Sequence, residues 1–344
     1  MTAAGTSTRL DLERTFVISA VIEAARVTLA VRRSLDPLDA AWKADSSPVT
    51  VADLAAQALV SIALTEVLPG DGLMGEEDSR PLAESAGLAE AVLARVRAHR
   101  PDTTPDTLTA ALDRCDDPGG PGRRWWTLDP VDGTKGFLRN EQYAVAMALV
   151  EDGEVVLAAM ACPNLPLEGV PGGVGSDLRV GCLFVAERGE GARMLPLATA
   201  GAAAANMAGS PIRAAAQASS AEARYAESIE SEHSDQSESA RIARTLGITT
   251  QPLRLDSQTK YAVVARGDAA IYLRLPRGAY RENVWDHAAG SLLVTEAGGR
   301  VSDVEGMALD FTTGSRLTAN RGIVATAASI HDEVLAAVRS SLAG

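Results

Sequence analysis

WTLDPVDGTKGF, residues 126–137, sets two aspartates, Asp129 and Asp132, three positions apart beside a proline and two glycines. Apolar residues lead into the pair, and Thr134 and Lys135 follow it. The stretch reads as a strand running into a turn, where the two anions either sit in solvent or are held together by something positive. Between Pro130 and Gly133, both carboxylates and the Val131 carbonyl can turn the same way. That is half of a site for a hard divalent cation, since Mg²⁺ takes oxygen ligands in near-octahedral geometry and keeps several waters. A helix starting near Lys135 would add free backbone N–H groups at Gly133 and Thr134, which favour an anion such as phosphate. A cation site beside a phosphate-receptive helix end is the layout of metal-assisted phosphoryl transfer to water.

Three further stretches place a carboxylate at an expected element boundary. SSPVTVAD ends in Asp53 at a helix start, GEED brings Glu76 and Glu77 after a turn, and WDHAAG puts Asp286 at the head of a helix. Singly, each has a structural explanation as an N-cap, a solvated loop or a turn residue. Together they are carboxylates from separate loops that can meet at one point only if a cation offsets their repulsion. His287 adjoins Asp286 and reads as a first-turn residue making a structural hydrogen bond. Trp125 and Trp126 read as strand and core residues, since aromatics at 4% of the chain supply no extended stacking surface.

The surrounding pattern alternates helices and hairpins. Residues 11–34 and 53–68 read as helices, the second apolar on most faces and ended by Pro69-Gly70. Residues 84–100 read as an exposed helix and 116–122, DDPGGPG, as a loop. AVAMALV (144–150) and EVVLAAMA (154–161) flank Glu151-Asp152-Gly153, a hairpin signal, and CLFVAERGEGA supplies a third strand. Residues 198–240, rich in Ala, Ser and Glu, read as a variable loop followed by an exposed helix. YAVVARGDAAIYLRLP reads as short strands alternating with turns, and WDHAAGSLLVTEAGG as a helix from Asp286 stopped by Gly298-Gly299. The expectation is a layered α/β or α+β architecture. It divides into an N-terminal α+β domain over 1–200 with most of the metal ligands, and a C-terminal α/β domain over 201–344.

Composition bounds the function. At 344 residues and 46% hydrophobic content the chain can bury a large core. A net charge of −13 repels nucleic acid polymers and anionic membranes, but a bound cation or a local basic cluster can still receive a small anionic substrate. No apolar run is long enough for a membrane span, the start lacks a secretory pattern, and three scattered cysteines favour a reducing cytoplasm.

WTLDPVDGTKGFLR and WDHAAGSLLVTEAGG resemble, in order and separation, the paired signatures of the lithium-sensitive, magnesium-dependent phosphatases that include inositol monophosphatase and fructose bisphosphatase. The resemblance runs from about residue 11 to residue 330. SSPVTVAD, GEEDS, DPVDGTKGFLR with QYAVAMAL, SQTKYAVVARGDAAIYLRLP and WDHAAG are similar to the 3′(2′),5′-bisphosphate nucleotidase branch, whereas the inositol monophosphatase branch usually reads GTTNF in place of GTKGF. The resemblance implies an α/β/α/β/α sandwich and two to three Mg²⁺ ions held by Glu76, Asp129, the Val131 carbonyl, Asp132 and Asp286. It implies that Asp53 and Thr134 orient the attacking water. Substrate contacts would come from Gly133, Thr134, His233, Ser257, Lys260, Arg274 and Asp286. The implied activity is hydrolysis of adenosine 3′,5′-bisphosphate to AMP and phosphate, with its sulfated form as a second candidate substrate, by a monomer or homodimer. The alternatives are a phosphatase of the same fold acting on an inositol phosphate, and a nucleotide sensor without turnover. Against the sensor, every expected metal-binding carboxylate is present. The chain departs from the pattern at Asn140-Glu141-Gln142, where relatives often carry Gly followed by an acid, and around His233, where the match is loose.

Overall fold

A computed structural model describes residues 10–34, 51–168, 181–200, 209–216, 219–229 and 236–343. In chain order the helices and strands are α1 (Asp11–Ser34), α2 (Val51–Val67), β1 (Gly72–Gly75), α3 (Arg80–Glu84), α4 (Ala86–Arg97), α5 (Pro105–Asp113), β2 (Arg124–Asp132), α6 (Thr134–Leu138), β3 (Ala144–Glu151), β4 (Glu154–Cys162), β5 (Cys182–Glu187), β6 (Gly191–Pro196) and β7 (Ser210–Pro211). They continue with β8 (Tyr225–Glu227), α7 (Gln236–Thr245), β9 (Leu253–Arg254), α8 (Thr259–Ala265), β10 (Ile271–Arg274), α9 (Ala288–Glu296), β11 (Gly299–Ser302), β12 (Ile323–Ala327) and α10 (His331–Leu342).

Helix α1 forms because 24 residues run without Pro or Gly, with Asp11 and Glu13 in the first turn and Arg32 and Arg33 in the last, each charge matched to the helix dipole. Helix α2 is apolar almost all round and correspondingly buried. The hairpin between β3 and β4 turns through Asp152 (φ 52°) and Gly153 (φ 81°), the pair of positive φ angles that matches the twist of the strands it joins. Strands β1 to β7 form one sheet in sequence order, parallel only between β1 and β2. The second sheet runs β11-β12-β10-β8-β9.

The elements stack in five layers. Helices α1 and α2 cover one face of the first sheet, and α9 packs on its other face against β3, β4 and β5. Helices α8 and α9 touch each other and lie between the sheets, contacting β10, β11 and β12. Helices α7 and α10 pack together, with α10 against β12 on the outer side of the second sheet. The α/β/α/β/α sandwich is therefore the architecture. Trp126 faces the first core beside Phe16, at 5.3 Å between ring centroids, and Trp125 faces the core between the sheets with Met74.

Three local expectations are corrected. Within 198–240, read as a loop followed by an exposed helix, Ser210–Pro211 (β7) and Tyr225–Glu227 (β8) are strands of the two sheets. The run YAVVA in 261–265 is helical, inside α8, and not a strand. Every residue of α8 is buried, so the segment carries no polar face and its apolar run has no period to read. Helix α9 begins at Ala288 with His287 as its N-cap, so Asp286 stands in the turn before it and not in the helix. Residues 46–50 of SSPVTVAD, and His233, lie outside the described residues. Among the described residues no helix is long and apolar enough to cross a membrane.

Candidate active site

Strand β2 delivers the opening aspartates. In a regular strand, residues three apart point to opposite faces. Against β3, Asp129 pairs with Ala146 and Asp132 with Ala144, so three steps on β2 answer two on its partner. The added residue is a bulge, and it brings both carboxylates to one side. The Asp129 carboxylate accepts from the Val131 N–H at 3.1 Å, and the Thr134 hydroxyl donates to the Val131 carbonyl at 3.2 Å. Gly133 then turns the chain into α6 at φ 86°, a conformation that favours glycine. A Cβ on Gly133 would lie 2.9 Å from Cβ of Ser257, so its bareness also lets the 257–258 turn approach.

A cavity of about 490 Å³ opens at this point. Glu76, Asp129, Val131, Asp132, Gly133, Thr134, Ser257, Lys260, Arg274 and Asp286 all line it, so the two sheets and the helices between them unite these sequence-distant residues. Asp53, in the first turn of α2, is buried and within electrostatic reach of both Glu76 and Glu77.

The acids crowd each other. Desolvation raises Asp129 well above the usual carboxylate range, and Glu76, Asp132 and Asp286 push it further. Glu76 faces the open cavity, but protein surrounds the rest of it. Loss of water and then Asp286, Glu77 and Asp53 raise it too, and it shares a hydrogen bond with Asp129. Burial and Asp53 lift Glu77 to about 8. Burial and Asp132 lift Asp286 to about 6, against the pull of His287 and Arg274. Carboxylates raised by burial and then by one another's charge are a donor set that a bound cation would stabilise in the ionised form. All are hard oxygen ligands, so the residues fit Mg²⁺.

The other wall is basic. Lys260, buried on α8, is depressed to about 8 by desolvation, while Asp132 opposes the shift. Its ammonium lies 5.5 Å from the Tyr272 ring centre. Asp132 accepts the Gln258 backbone N–H, which fastens β2 to the turn before α8. Ser257 in that turn has φ 67°, a strained angle for a side-chain-bearing residue, and its hydroxyl caps the Thr259 N–H at 3.1 Å. Arg274 ends β10 with its Nε 2.9 Å from Glu282. His287 has both ring nitrogens engaged, by Tyr261 at 2.8 Å and Glu282 at 3.3 Å. Ligand atoms of Glu282, Asp286 and His287 lie within 4.8 Å of one another, close enough for a cation, but Glu282 already serves Arg274 and His287.

Sequence reasoning passed over Gln57 and Glu282. Gln57 sits one helical turn after Asp53 on α2, fully buried, and its amide grips Glu77 at both ends. The Glu77 N–H donates to Oε1 at 3.0 Å, and Nε2 donates to the Glu77 carbonyl. The signal was the i, i+4 spacing, which places both side chains on one helix face.

Residues 13–343 match the inositol monophosphatase family. The chain belongs to that family. It is 42% identical over 343 residues to a 3′(2′),5′-bisphosphate nucleotidase of Oryza sativa, covering 94% of this chain and 92% of the relative. A 3′(2′),5′-bisphosphate nucleotidase of Emericella nidulans is 41% identical over 322 residues, with 87% of this chain and 90% of the relative covered. Among solved structures, an inositol monophosphatase from Anabaena (Nostoc) superposes with a TM-score of 0.63 at 18% identity over 97% of both chains, which shows the shared fold.

Proposed function

We propose that this member of the inositol monophosphatase family hydrolyses the 3′-phosphate of adenosine 3′,5′-bisphosphate to AMP and phosphate, with Mg²⁺ as cofactor. The observation that carries the reading is one cavity with an acidic wall, Glu76, Asp129, Asp132 and Asp286, facing a basic wall, Lys260 and Arg274. A single phosphomonoester needs only the first wall; a substrate with a second anionic group uses both. The nucleotidases that are about 40% identical over most of the chain support the nucleotide as substrate.

Glu76, Asp129, the Val131 carbonyl, Asp132 and Asp286 would hold two to three Mg²⁺ ions, which when bound neutralise the phosphate dianion and acidify water. Asp53 and Thr134 hold and aim the attacking water, Thr134 by accepting a hydrogen bond from it, and the Asp53 carboxylate takes up its proton. The Thr134 hydroxyl is already positioned by the Val131 carbonyl, so its lone pairs are presented in a fixed direction. Gly133 and Thr134 offer backbone N–H groups to the scissile phosphate. Ser257 and Lys260 contact the substrate from the turn and first residues of α8, and Arg274 takes the phosphate that is not cleaved, with a guanidinium suited to two-point contact. His233 is assigned to the nucleotide by resemblance alone.

The test is phosphate release from adenosine 3′,5′-bisphosphate, inositol 1-phosphate and fructose 1,6-bisphosphate, with Mg²⁺ and with a chelator. The nucleotide should be turned over with the highest kcat/KM and the chelator should abolish release. A preference for inositol 1-phosphate would replace the reading by its sugar-phosphate alternative, and binding of the nucleotide without turnover by the sensor.

A further inference from the structure

We propose that Glu282 is a positioning residue that makes Arg274 selective for a second anionic group on the substrate. The inference rests on the reading of Arg274 given above. Arg274 lines the cavity with its side chain 18% exposed, and its Nε lies 2.9 Å from Glu282 Oε2. Among the described residues no other carboxylate is ion-paired with Arg274. Glu282 is 6% exposed and does not line the cavity, so it acts from behind the wall.

The same Glu282 oxygen faces His287 Nε2 at 3.3 Å, and His287 Nδ1 faces the Tyr261 hydroxyl at 2.8 Å. A carboxylate only accepts, so Nε2 carries a proton toward Glu282, while Nδ1 and the Tyr261 hydroxyl share the second hydrogen bond. Tyr261 packs edge-on against Tyr272, two residues before Arg274, with ring centres 4.9 Å apart. Gly290 makes room for that tyrosine: a Cβ there would lie 2.2 Å from its ring. The buried sequence Tyr261–His287–Glu282–Arg274 therefore ties α8, the N-cap of α9 and the end of β10 to one guanidinium.

The cavity gives Arg274 other choices. Asp132 and Asp286 both lie within its electrostatic reach. A guanidinium on a flexible stem, released from Glu282, would turn to these carboxylates and spend its charge on the proposed metal ligands. Glu282 makes its closest approach at Nε, and among the described residues the terminal amino groups make no hydrogen bond to a carboxylate. Those groups are the fork that reads a phosphate.

The experiment compares kcat/KM for adenosine 3′,5′-bisphosphate with that for adenosine 3′-monophosphate, which carries the same scissile phosphate without the second one. The variants are Glu282→Gln, Glu282→Ala, Arg274→Ala and the double variant with both positions Ala. The ratio of the two kcat/KM values should fall about tenfold in Glu282→Ala, mainly through KM of the bisphosphate, and severalfold in Glu282→Gln, which keeps an oxygen for Nε. The double variant should show the same ratio as Arg274→Ala, because Glu282 acts only through it. A purely structural role would lower both substrates together and leave the ratio unmoved. An unmoved ratio in the Glu282 variants, or losses that multiply in the double variant, overturns the proposal. If Glu282→Ala does not fold, Glu282→Gln decides. A wild type that turns over neither nucleotide, or an Arg274→Ala that keeps the wild-type ratio, removes the underlying functional reading instead, so the two failures are distinguishable.

Discussion

At the scale of single residues the site depends on groups whose ordinary behaviour is reversed by their surroundings. A surface aspartate is worth little, but Asp53, 1% exposed, lies within electrostatic reach of Glu76 and Glu77. Replacing it with Ala should lower kcat by about 10²-fold at saturating Mg²⁺, the loss expected when proton-handling machinery is removed. Steady-state phosphate release measures it, and near-normal turnover would show that Asp53 does not aim the water. Arg274→Ala should weaken use of adenosine 3′,5′-bisphosphate by about 10- to 100-fold, the worth of a charged hydrogen-bonded contact, and use of a simple phosphomonoester far less. Parallel kinetics on the two substrates would reveal equal losses if Arg274 contacts no second phosphate. Asp53 was legible in the sequence as a carboxylate at a helix start, and Arg274 through the family resemblance. Glu282 was not, because RENVWDH offers no spacing that marks one acid as the partner of an arginine eight positions back.

At the scale of elements, the decisive features are breaks in regularity. The β2 bulge puts Asp129 and Asp132 on one face. The short helix α6 then leaves the site at once, packed so closely that a Cβ on Gly136 would lie 2.3 Å from the Gln142 carbonyl and 3.2 Å from Asp256. Ala normally improves a helix interior over Gly by about 1 kcal/mol. Here the contact is with backbone, so Gly136→Ala should destabilise the protein by about 1–3 kcal/mol, the usual cost of overpacking. A lowered urea midpoint at unchanged slope is the expected result, and a raised midpoint would mean that α6 is free to shift. The pattern GTKGF marked the turn and the helix start, but nothing in the string GFLRNEQ shows that Gln142 returns to within contact of Gly136.

At the scale of the whole molecule, the acidic cavity governs how stability varies with pH. Glu77 and Asp286 are raised to about 8 and about 6, above the value of about 4 that carboxyls have in an unfolded chain. The folded protein therefore holds more protons than the unfolded one over that interval. Stability from these groups is full below about pH 4 and is lost as pH rises through 6 and then 8. His331, buried between Ser302 and Thr326 and lowered to about 4 by desolvation, acts in the opposite sense, but only below about pH 6.5. Lys260, lowered to about 8 by desolvation, opposes these carboxyls in turn only above about pH 7.5, so in chelator the melting temperature should fall between about pH 6.5 and about pH 7.5, and saturating Mg²⁺ should abolish the fall by supplying the missing charge. Calorimetric scans at both pH values with and without Mg²⁺ test this, and a metal-independent profile would deny the cavity its cation.

The sequence by itself determined the helices α1 and α2, the β3–β4 hairpin, and the acids and turns of the two signature stretches. All of these are written in local periodicity, in turn chemistry and in the charge a residue type carries. Only the tertiary structure decided that α8 is a helix and not a strand, since a segment buried on every side has no polar face to betray its period. It also decided that Asp129 and Asp132 share a face, and that Gln57 and Glu282 brace the acidic loop and the arginine. Those relations depend on which distant surfaces meet when the two sheets close on the helices between them, and the free energy of that closure belongs to no single segment.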